Sequence, residues 1–429
     1  MNNFNKPNKL MFNYCAGSLP NIGAIFGSLI SGPMMVSIGQ RKTLLMAMPV
    51  SALGWIALHF STAIWQLQVI RFIHGIIIGI YLVSTMNYAT EISPTNVRGR
   101  VAGSLNMGRQ FGFMAVYAIG GSGLQWRTTC LYFGVTTVVP FLMLFKLYDS
   151  PRWLASKSRH DDARKSLLFF RCKNYEVDKE LSEIEEQLKK SEFGTVIDQF
   201  KKFKDPSIRN LLLLLTFLFF ASQLNGHNSM ATYATTIFQS VDSDIDCYLS
   251  TNVVGGVRVL GTTVYLIAAD KIPRKVWLIG SLLLSSSAMM VLGIVTLLSN
   301  YGYDFSNFNY IPIVSITIYT CFACIAQSLL LIVRGELLPN SVRSLGGSII
   351  GCTYYVGGFL ISYAYQLMAE HMGTHGTFIF YAINGFIILI VTKLYVNETY
   401  SKSLEDIEKS HITNKAKETD KISISIIQT

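Results

Sequence analysis

The stretch EISPTNVRGR, residues 91–100, ends a long apolar run, and the stretch ELLPNSVRSL, residues 336–345, ends another. In both stretches two residues separate a Glu from a Pro, and three residues separate that Pro from an Arg. A second pair of segments, IGQRK at 38–42 and KIPRK at 271–275, also joins one apolar run to the next. Two such pairs in the same order indicate an internal repeat. The chain is therefore predicted to consist of two similar halves.

The composition of the chain is that of a membrane protein. Of the 429 residues 50% are hydrophobic and only 14% are charged, and the mean hydropathy is +0.37. A helix of about 20 apolar residues crosses the hydrocarbon core of a bilayer, and about eleven such runs recur along the chain. The fold is predicted to be all-α and polytopic. The predicted spans cover residues 14–37, 43–62, 65–87, 101–121, 128–148, 209–237, 248–269, 276–299, 308–333, 345–368 and 374–396.

Basic residues lie in alternate loops. The loop with Arg41 and Lys42 and the hydrophilic block at 151–209 are rich in Lys and Arg, whereas the intervening loops STAIWQ and SNYGYDFSN contain neither. Because cytoplasmic loops carry an excess of Lys and Arg, the basic loops are predicted to be cytoplasmic. The net charge of +10 then reflects topology and contact with the lipid bilayer. Nucleic acid is not expected as a partner.

No motif for catalysis, nucleotides or metals stands out in the sequence. Cys321 and Cys324 have the spacing of a metal motif, but they lack a second pair or a histidine partner, and packing is the favoured interpretation. The phosphate-binding pattern GxxxxGK[ST] is missing, and His, Ser and Asp residues are scattered without a catalytic arrangement. We therefore expect no enzyme, no cofactor and no ATP-driven pump.

One long hydrophilic segment divides the predicted spans into about five before it and six after it. Within it, LSEIEEQLKKSEF places Leu181, Ile184 and Leu188 at helical spacing, which predicts an amphipathic helix against the membrane or the end of a bundle. A solvated linker and a gating element both fit this pattern. The predicted parts are an N-terminal half at 1–148, a cytoplasmic helical loop at 149–208, a C-terminal half at 209–396 and a cytoplasmic tail at 397–429.

Charged residues at the cytoplasmic ends of the spans are candidates for a gate. A carboxylate such as Glu91 can pair with the Arg and Lys cluster of a neighbouring loop, and a rocking motion would break such pairs. Simple anchoring of helix ends is the alternative, but the duplicated motif favours the gate. The candidate gating residues are Glu91, Arg98, Glu336, Arg343, Arg41, Lys42, Asp270, Arg274, Lys275 and Arg152.

Five segments together resemble the sugar porter family of the major facilitator superfamily, and within it the arthropod facilitated trehalose and glucose transporter-like group. They are YATEISPTNVRGR, DSPRWL at 149–154, DKIPRK at 270–275, ELLPNSVRS and NETYSKSLEDIE at 397–408. The resemblance implies a major facilitator fold of two pseudo-symmetric halves, which moves a sugar by alternating access in the plasma membrane. In this register residues 14–37 resemble the family's second span, so the first span is expected to be missing.

The resemblance also implies where a sugar binds. The segment SQLNGHNSMATY, residues 222–233, is similar to the family's Gln-Gln-x-Ser-Gly-x-Asn pattern, and a break is expected at Gly226. Neutral amides suit a substrate that is rich in hydroxyl groups, although hydrogen bonds between helices without a ligand are the alternative. The candidate substrate-binding residues are Gln223, Asn228, Asn106, Ser222, Asn225 and Arg258.

Several positions depart from the family pattern. Arg258 stands where a neutral contact is common, and it is expected to face the cavity or a carboxylate. Arg109 is similarly placed, while the family's tenth-span Gly-Pro-x-Pro-Trp is replaced by other residues at 327–331. The resemblance implies transport of trehalose or a hexose, and facilitated diffusion is predicted rather than proton symport, because no Asp or Glu occupies the middle of a span. An organic-anion carrier and a non-transporting sensor or decayed truncated paralogue are the alternatives.

Overall fold

A computed structural model describes residues 6–94, 97–171, 176–191, 200–232, 247–268, 272–303, 310–339 and 342–396. In this part of the chain the backbone forms fifteen helices and no strand. Helices satisfy all backbone hydrogen bonds internally, as a bilayer requires. They are α1 Lys6–Ile38, α2 Gln40–Phe60, α3 Ile64–Ile92, α4 Arg98–Gly120, α5 Trp126–Phe145, α6 Pro151–Ser156, α7 His160–Phe170, α8 Val177–Ser191, α9 Pro206–Leu224, α10 His227–Thr232, α11 Cys247–Ala268, α12 Arg274–Asn300, α13 Ile311–Leu337, α14 Arg343–His371 and α15 Gly373–Tyr395.

The predicted apolar runs fall on these helices. Nine stretches of the described residues are long and apolar enough to cross a membrane, and one of them, Pro206–Met230, joins α9 and α10. The predicted runs on α4 and α11 are not among the nine, and each contains an arginine, Arg109 or Arg258, within its length. The prediction of an all-α polytopic fold with about eleven spans is confirmed.

Two pairs of glycines bring α1 and α3 into backbone contact. Gly23 and Gly27 on α1 face α3, and Gly75 and Gly79 on α3 face α1. A Cβ atom added to Gly27 would lie 2.0 Å from the carbonyl oxygen of Ile76. At each of the other three glycines an added Cβ would lie 2.1 to 2.3 Å from a carbonyl oxygen of the partner helix. Lipid tails give helices little hydrophobic reason to associate, so close packing through small residues stabilises the pair.

Two helix pairs make the most extensive contacts between the two halves. Helix α1 packs against α14, and α4 packs against α11. At the first contact the hydroxyls of Ser31 and Ser348 lie 3.4 Å apart. At the second, Gly255 of α11 lies close to Tyr117 of α4. The second contact places α4 and α11 side by side, and the candidate site is built around that pair.

The short helices α6, α7 and α8 form a small cluster beside the first half. Residues Trp153 and Leu154 of α6 are buried with Ala163 of α7, and the indole nitrogen of Trp153 donates to the carbonyl oxygen of Val36 at 3.3 Å. The predicted amphipathic helix is confirmed as α8. Its apolar face packs against this cluster through Leu181, Ile184 and Leu188. The predicted tail at 397–429 lies outside the described residues.

Candidate functional site

The break between α9 and α10 forms at Gly226. This residue has φ +84°, a left-handed conformation that only glycine adopts without strain. The ring of Tyr381 fills the space beside it, where an added Cβ would lie 2.2 Å from a ring carbon. The side-chain oxygen of Asn225 accepts the backbone N–H of His227 at 3.1 Å, and the Tyr319 hydroxyl donates to the Asn225 carbonyl oxygen at 2.8 Å. The predicted break is therefore present and held on both sides.

Arg258 lies at the centre of a buried polar cluster next to this break. Its side chain is only 1% exposed. The guanidinium donates through Nε to Oε1 of Gln110 at 2.9 Å and through Nη2 to Nε2 of His227 at 3.2 Å, and it lies 4.5 Å from the ring centroid of Phe113. The sequence predicts that Arg258 faces the cavity or a carboxylate, and both of its hydrogen-bond partners among the described residues are neutral acceptors.

Helix α4 extends the cluster across the boundary between the halves. Asn106 and Gln110 are one turn apart on α4, and their amides lie 3.5 Å apart. The amide of Asn106 also donates to the hydroxyl of Ser328 on α13, so a continuous line of hydrogen bonds runs from Arg258 to α13. The sequence prediction included Asn106 and missed Gln110. Their spacing of four residues on a helix was the signal that both face the same way.

A second pair of amides bridges the break, with Gln223 on α9 and Asn228 on α10. The amide of Asn228 donates to Oε1 of Gln223 at 2.5 Å, while Nε2 of Gln223 is buried and has no partner in the described part of the chain. The same holds for Nε2 of Gln327 on α13. Ser222 is placed differently, because its hydroxyl donates to the Phe219 carbonyl oxygen within α9.

Among the candidate gating residues, Glu91 joins three elements of the first half. Its Oε1 accepts a hydrogen bond from Nε2 of Gln40 at 2.8 Å, and its Oε2 accepts from the hydroxyl of Ser150. Ser150 also caps the N-terminus of α6. Burial lowers the pKa of Arg152, and the charge of Glu91 opposes this shift. Glu91 therefore connects α3 to α2 and to the start of the short helices.

Among the basic candidate gating residues, Arg41 and Lys42 contact groups other than Glu91. Arg41 donates to the carbonyl oxygens of Leu144 and Phe145 at the end of α5, at 3.0 and 2.9 Å, and lies 3.4 Å from Asp149. Lys42 lies 5.7 Å from the ring centroid of Trp153. Arg274 and Lys275 open α12. Asp270 and the side chains of Arg98, Glu336 and Arg343 lie outside the described residues.

Replacing Glu91 by glutamine is expected to loosen α6 from α3. Glutamine keeps one acceptor but loses the charge that strengthens the bond from Ser150 and stabilises Arg152, a loss of about 1 to 3 kcal/mol. Ala155 of α6 is buried, so a cysteine placed there should react with a thiol reagent about tenfold faster in the variant. Glu183→Gln on the exposed side of α8 is the control. Equal reaction rates in all three proteins would contradict the role assigned to Glu91.

Comparison with known proteins gives the same architecture. The model of the family described as "Sugar (and other) transporter" matches residues 10–410. The chain is 28% identical over 399 residues to the facilitated trehalose transporter Tret1 of Culex quinquefasciatus, which covers 92% of this chain and 76% of that protein. Identity to Tret1 of Anopheles gambiae is 27%, over 92% of this chain and 50% of that protein. The chain thus spans about half the length of the second relative.

Solved structures with the same fold include states of one transporter. The proton:xylose symporter XylE bound to 6-bromo-6-deoxy-D-glucose aligns with a TM-score of 0.81 at 19% identity, over 95% of this chain and 90% of that one. The inward open conformation of XylE from E. coli aligns with a TM-score of 0.71 at 19% identity, over 95% and 91%. The chain accordingly has the same arrangement of helices as these structures.

Proposed function

Since this chain belongs to the sugar (and other) transporter family, we propose that it carries a sugar across a membrane by facilitated diffusion. It is an integral multi-pass membrane protein. Two of its relatives are named facilitated trehalose transporters, so trehalose or a hexose is the proposed cargo. The proposed location is the plasma membrane, and the proposed activity is transport without a chemical reaction.

The observation that carries this proposal is the line of neutral hydrogen-bonding groups shared by the two halves. Asn106 and Gln110 on α4 meet Ser328 on α13, and Gln223 lies beside the break with a buried N–H group that has no partner among the described residues. An unsatisfied buried donor costs about 1 to 3 kcal/mol. A sugar hydroxyl would accept that hydrogen bond, and a rocking motion of the halves would exchange the protein's own bonds for bonds to the sugar.

Facilitated diffusion is favoured over proton symport by the residues inside the spans. A symporter needs a titratable group that changes environment during the cycle, and the predicted spans contain no Asp or Glu at mid-depth. Of the histidines, His74 lies between α2 and α3, where its Nε2 is 3.3 Å from the Ser51 carbonyl oxygen. His227 accepts a hydrogen bond from Arg258. Neither is paired with a carboxylate among the residues that the structure describes.

Uptake of labelled trehalose and glucose into proteoliposomes that contain only this chain tests the function. Saturable uptake supports transport and excludes the alternative of a sensor without flux. Asn228→Ala and Gln223→Ala should each lower uptake about tenfold, because a lost hydrogen bond in a buried site is worth about 1 to 2 kcal/mol.

A matched control comes from α15. The amide of Asn384 donates to the Phe380 carbonyl oxygen of its own helix at 2.9 Å, and no hydrogen bond joins it to the candidate sugar-binding amides in the described part of the chain. Asn384→Ala should therefore transport as the unaltered protein does. If Asn228→Ala transports normally at normal surface expression, Asn228 does not bind the sugar. If it loses expression instead, its role is packing between helices.

A further inference from the structure

Two arginines lie inside the helical bundle, and among the described residues neither pairs with an acidic side chain. Arg109 and Arg258 occur within predicted spans, and none of these spans contains Asp or Glu. A charged side chain at this depth costs at least a few kcal/mol unless it is paired. The polar interior of the molecule therefore carries a positive charge that its own spans do not neutralise.

The two arginines lie on the helix pair that joins the halves. Arg109 is the neighbour of Gln110 in α4, and Arg258 of α11 donates to Oε1 of Gln110 at 2.9 Å. Cys324 lies on α13, and its sulfur is 3.9 Å from Oε1 of Gln110. The cluster is thus bounded by α4, α10, α11 and α13, and three of these helices carry the candidate sugar contacts Asn106, Asn228 and Arg258.

The guanidinium of Arg109 has unused hydrogen-bonding capacity, whereas that of Arg258 is bonded to neutral groups. Nε and Nη2 of Arg109 are buried and have no partner in the described residues. Arg258 uses Nε and Nη2 on the neutral acceptors Gln110 and His227. A guanidinium has five N–H donors in a planar fork that matches a carboxylate. An anion bound at Arg109 would satisfy its free donors, and its charge would offset the positive charges of both arginines.

We propose that Arg109 and Arg258 bind the carboxylate of an acidic sugar, such as a hexuronate, in the interior between the two halves. This proposal rests on the proposed sugar transport and names a substrate class for the same site. A carboxylate without a sugar ring would account for the two arginines but not for the amides near them. The amides of Asn106, Gln110 and Gln223 lie around the same break and suit the hydroxyl groups of a sugar ring.

Binding to the purified full chain in detergent tests this proposal without relying on transport. Thermal unfolding is followed while sodium glucuronate, glucose or sodium chloride is added. Glucuronate should raise the melting temperature, and its dissociation constant should increase about tenfold or more in Arg109→Gln and in Arg258→Gln, because each removes a charge-assisted hydrogen bond.

A third arginine provides the matched control. Arg71 lies within a predicted span, on α3, but its side chain is exposed. Arg71→Gln should bind glucuronate as the unaltered chain does. Arg258→Lys keeps the charge but loses the planar fork, so it should bind with intermediate affinity. Should Arg258→Gln fail to fold, Arg109→Gln and Arg258→Lys still decide the matter.

Three results would overturn the proposal. The first is that glucuronate fails to raise the melting temperature of the protein. The second is that glucuronate binds equally to the unaltered chain, Arg109→Gln and Arg258→Gln. The third is that chloride at the same concentration raises the melting temperature as much as glucuronate does. The last result would mean that the cluster binds an inorganic anion.

Counterflow in proteoliposomes separates this proposal from the proposed function. If glucose moves and glucuronate neither binds nor moves, sugar transport stands and the acidic substrate fails. If glucuronate binds but no sugar moves, the binding site stands and the transport function fails.

Discussion

Replacing Gly27 by alanine is expected to cost about 3 kcal/mol of unfolding free energy, although alanine is the better helix former by about 1 kcal/mol. The reason is the contact between α1 and α3. The added methyl group would lie 2.0 Å from the carbonyl oxygen of Ile76, 2.8 Å from its carbonyl carbon and 2.9 Å from its Cα. These atoms belong to the backbone of α3 and cannot rotate away, so the two helices must separate.

The control for this prediction is a pair of glycines with the same spacing on α4. Gly108 and Gly112 also stand four residues apart, but nothing lies within 4 Å of a Cβ atom added to either. Gly112→Ala should leave stability unchanged or raise it by up to about 1 kcal/mol, the difference in helix propensity. Thermal unfolding of the purified variants measures both. Equal melting temperatures for Gly27→Ala and Gly112→Ala would refute the backbone contact between α1 and α3.

The glycine pairs on α1 and α4 illustrate which features of the fold are predictable from the sequence and which are not. Apolar runs of sufficient length predicted the helices, because the bilayer fixes both the length and the composition of a span. The partner of each helix was not predictable in this way. The segments GAIFG at 23–27 and GRQFG at 108–112 share one glycine spacing, yet only the first lies against another backbone. Close packing depends on the arrangement of all helices, which one segment does not encode.

The candidate site was predictable in its residue types and less so in its partners. The polar segment around Gly226 is expected from the resemblance to the family. Polar neighbours of Arg258 are also expected, because a charged side chain within a span is costly unless polar groups surround it. Its acceptor Gln110 lies 148 residues away in the chain. A search limited to carboxylates could not find it, since Gln110 bears no charge. The pairing depends on the contact between α4 and α11, which brings the two halves together.

Replacing Gly226 by alanine is expected to abolish transport and to destabilise the protein by about 3 kcal/mol or more. Two effects combine. An alanine at φ +84° costs about 1 to 2 kcal/mol, and its methyl group would lie 2.2 Å from a ring carbon of Tyr381, which is buried and only 1% exposed. Overpacking against such a ring costs about 1 to 3 kcal/mol.

A double-mutant cycle separates these two effects. In a Tyr381→Ala background the clash is absent, so Gly226→Ala should cost only the backbone strain of about 1 to 2 kcal/mol. Gly256→Ala on α11, where nothing lies within 4 Å of an added Cβ, is the control and should fold and transport normally. Because the break at Gly226 sets the positions of Asn225, His227 and Asn228, the fraction of Gly226→Ala that does fold should still fail to transport sugar. Normal uptake by that fraction would show that the break between α9 and α10 is dispensable for the substrate site.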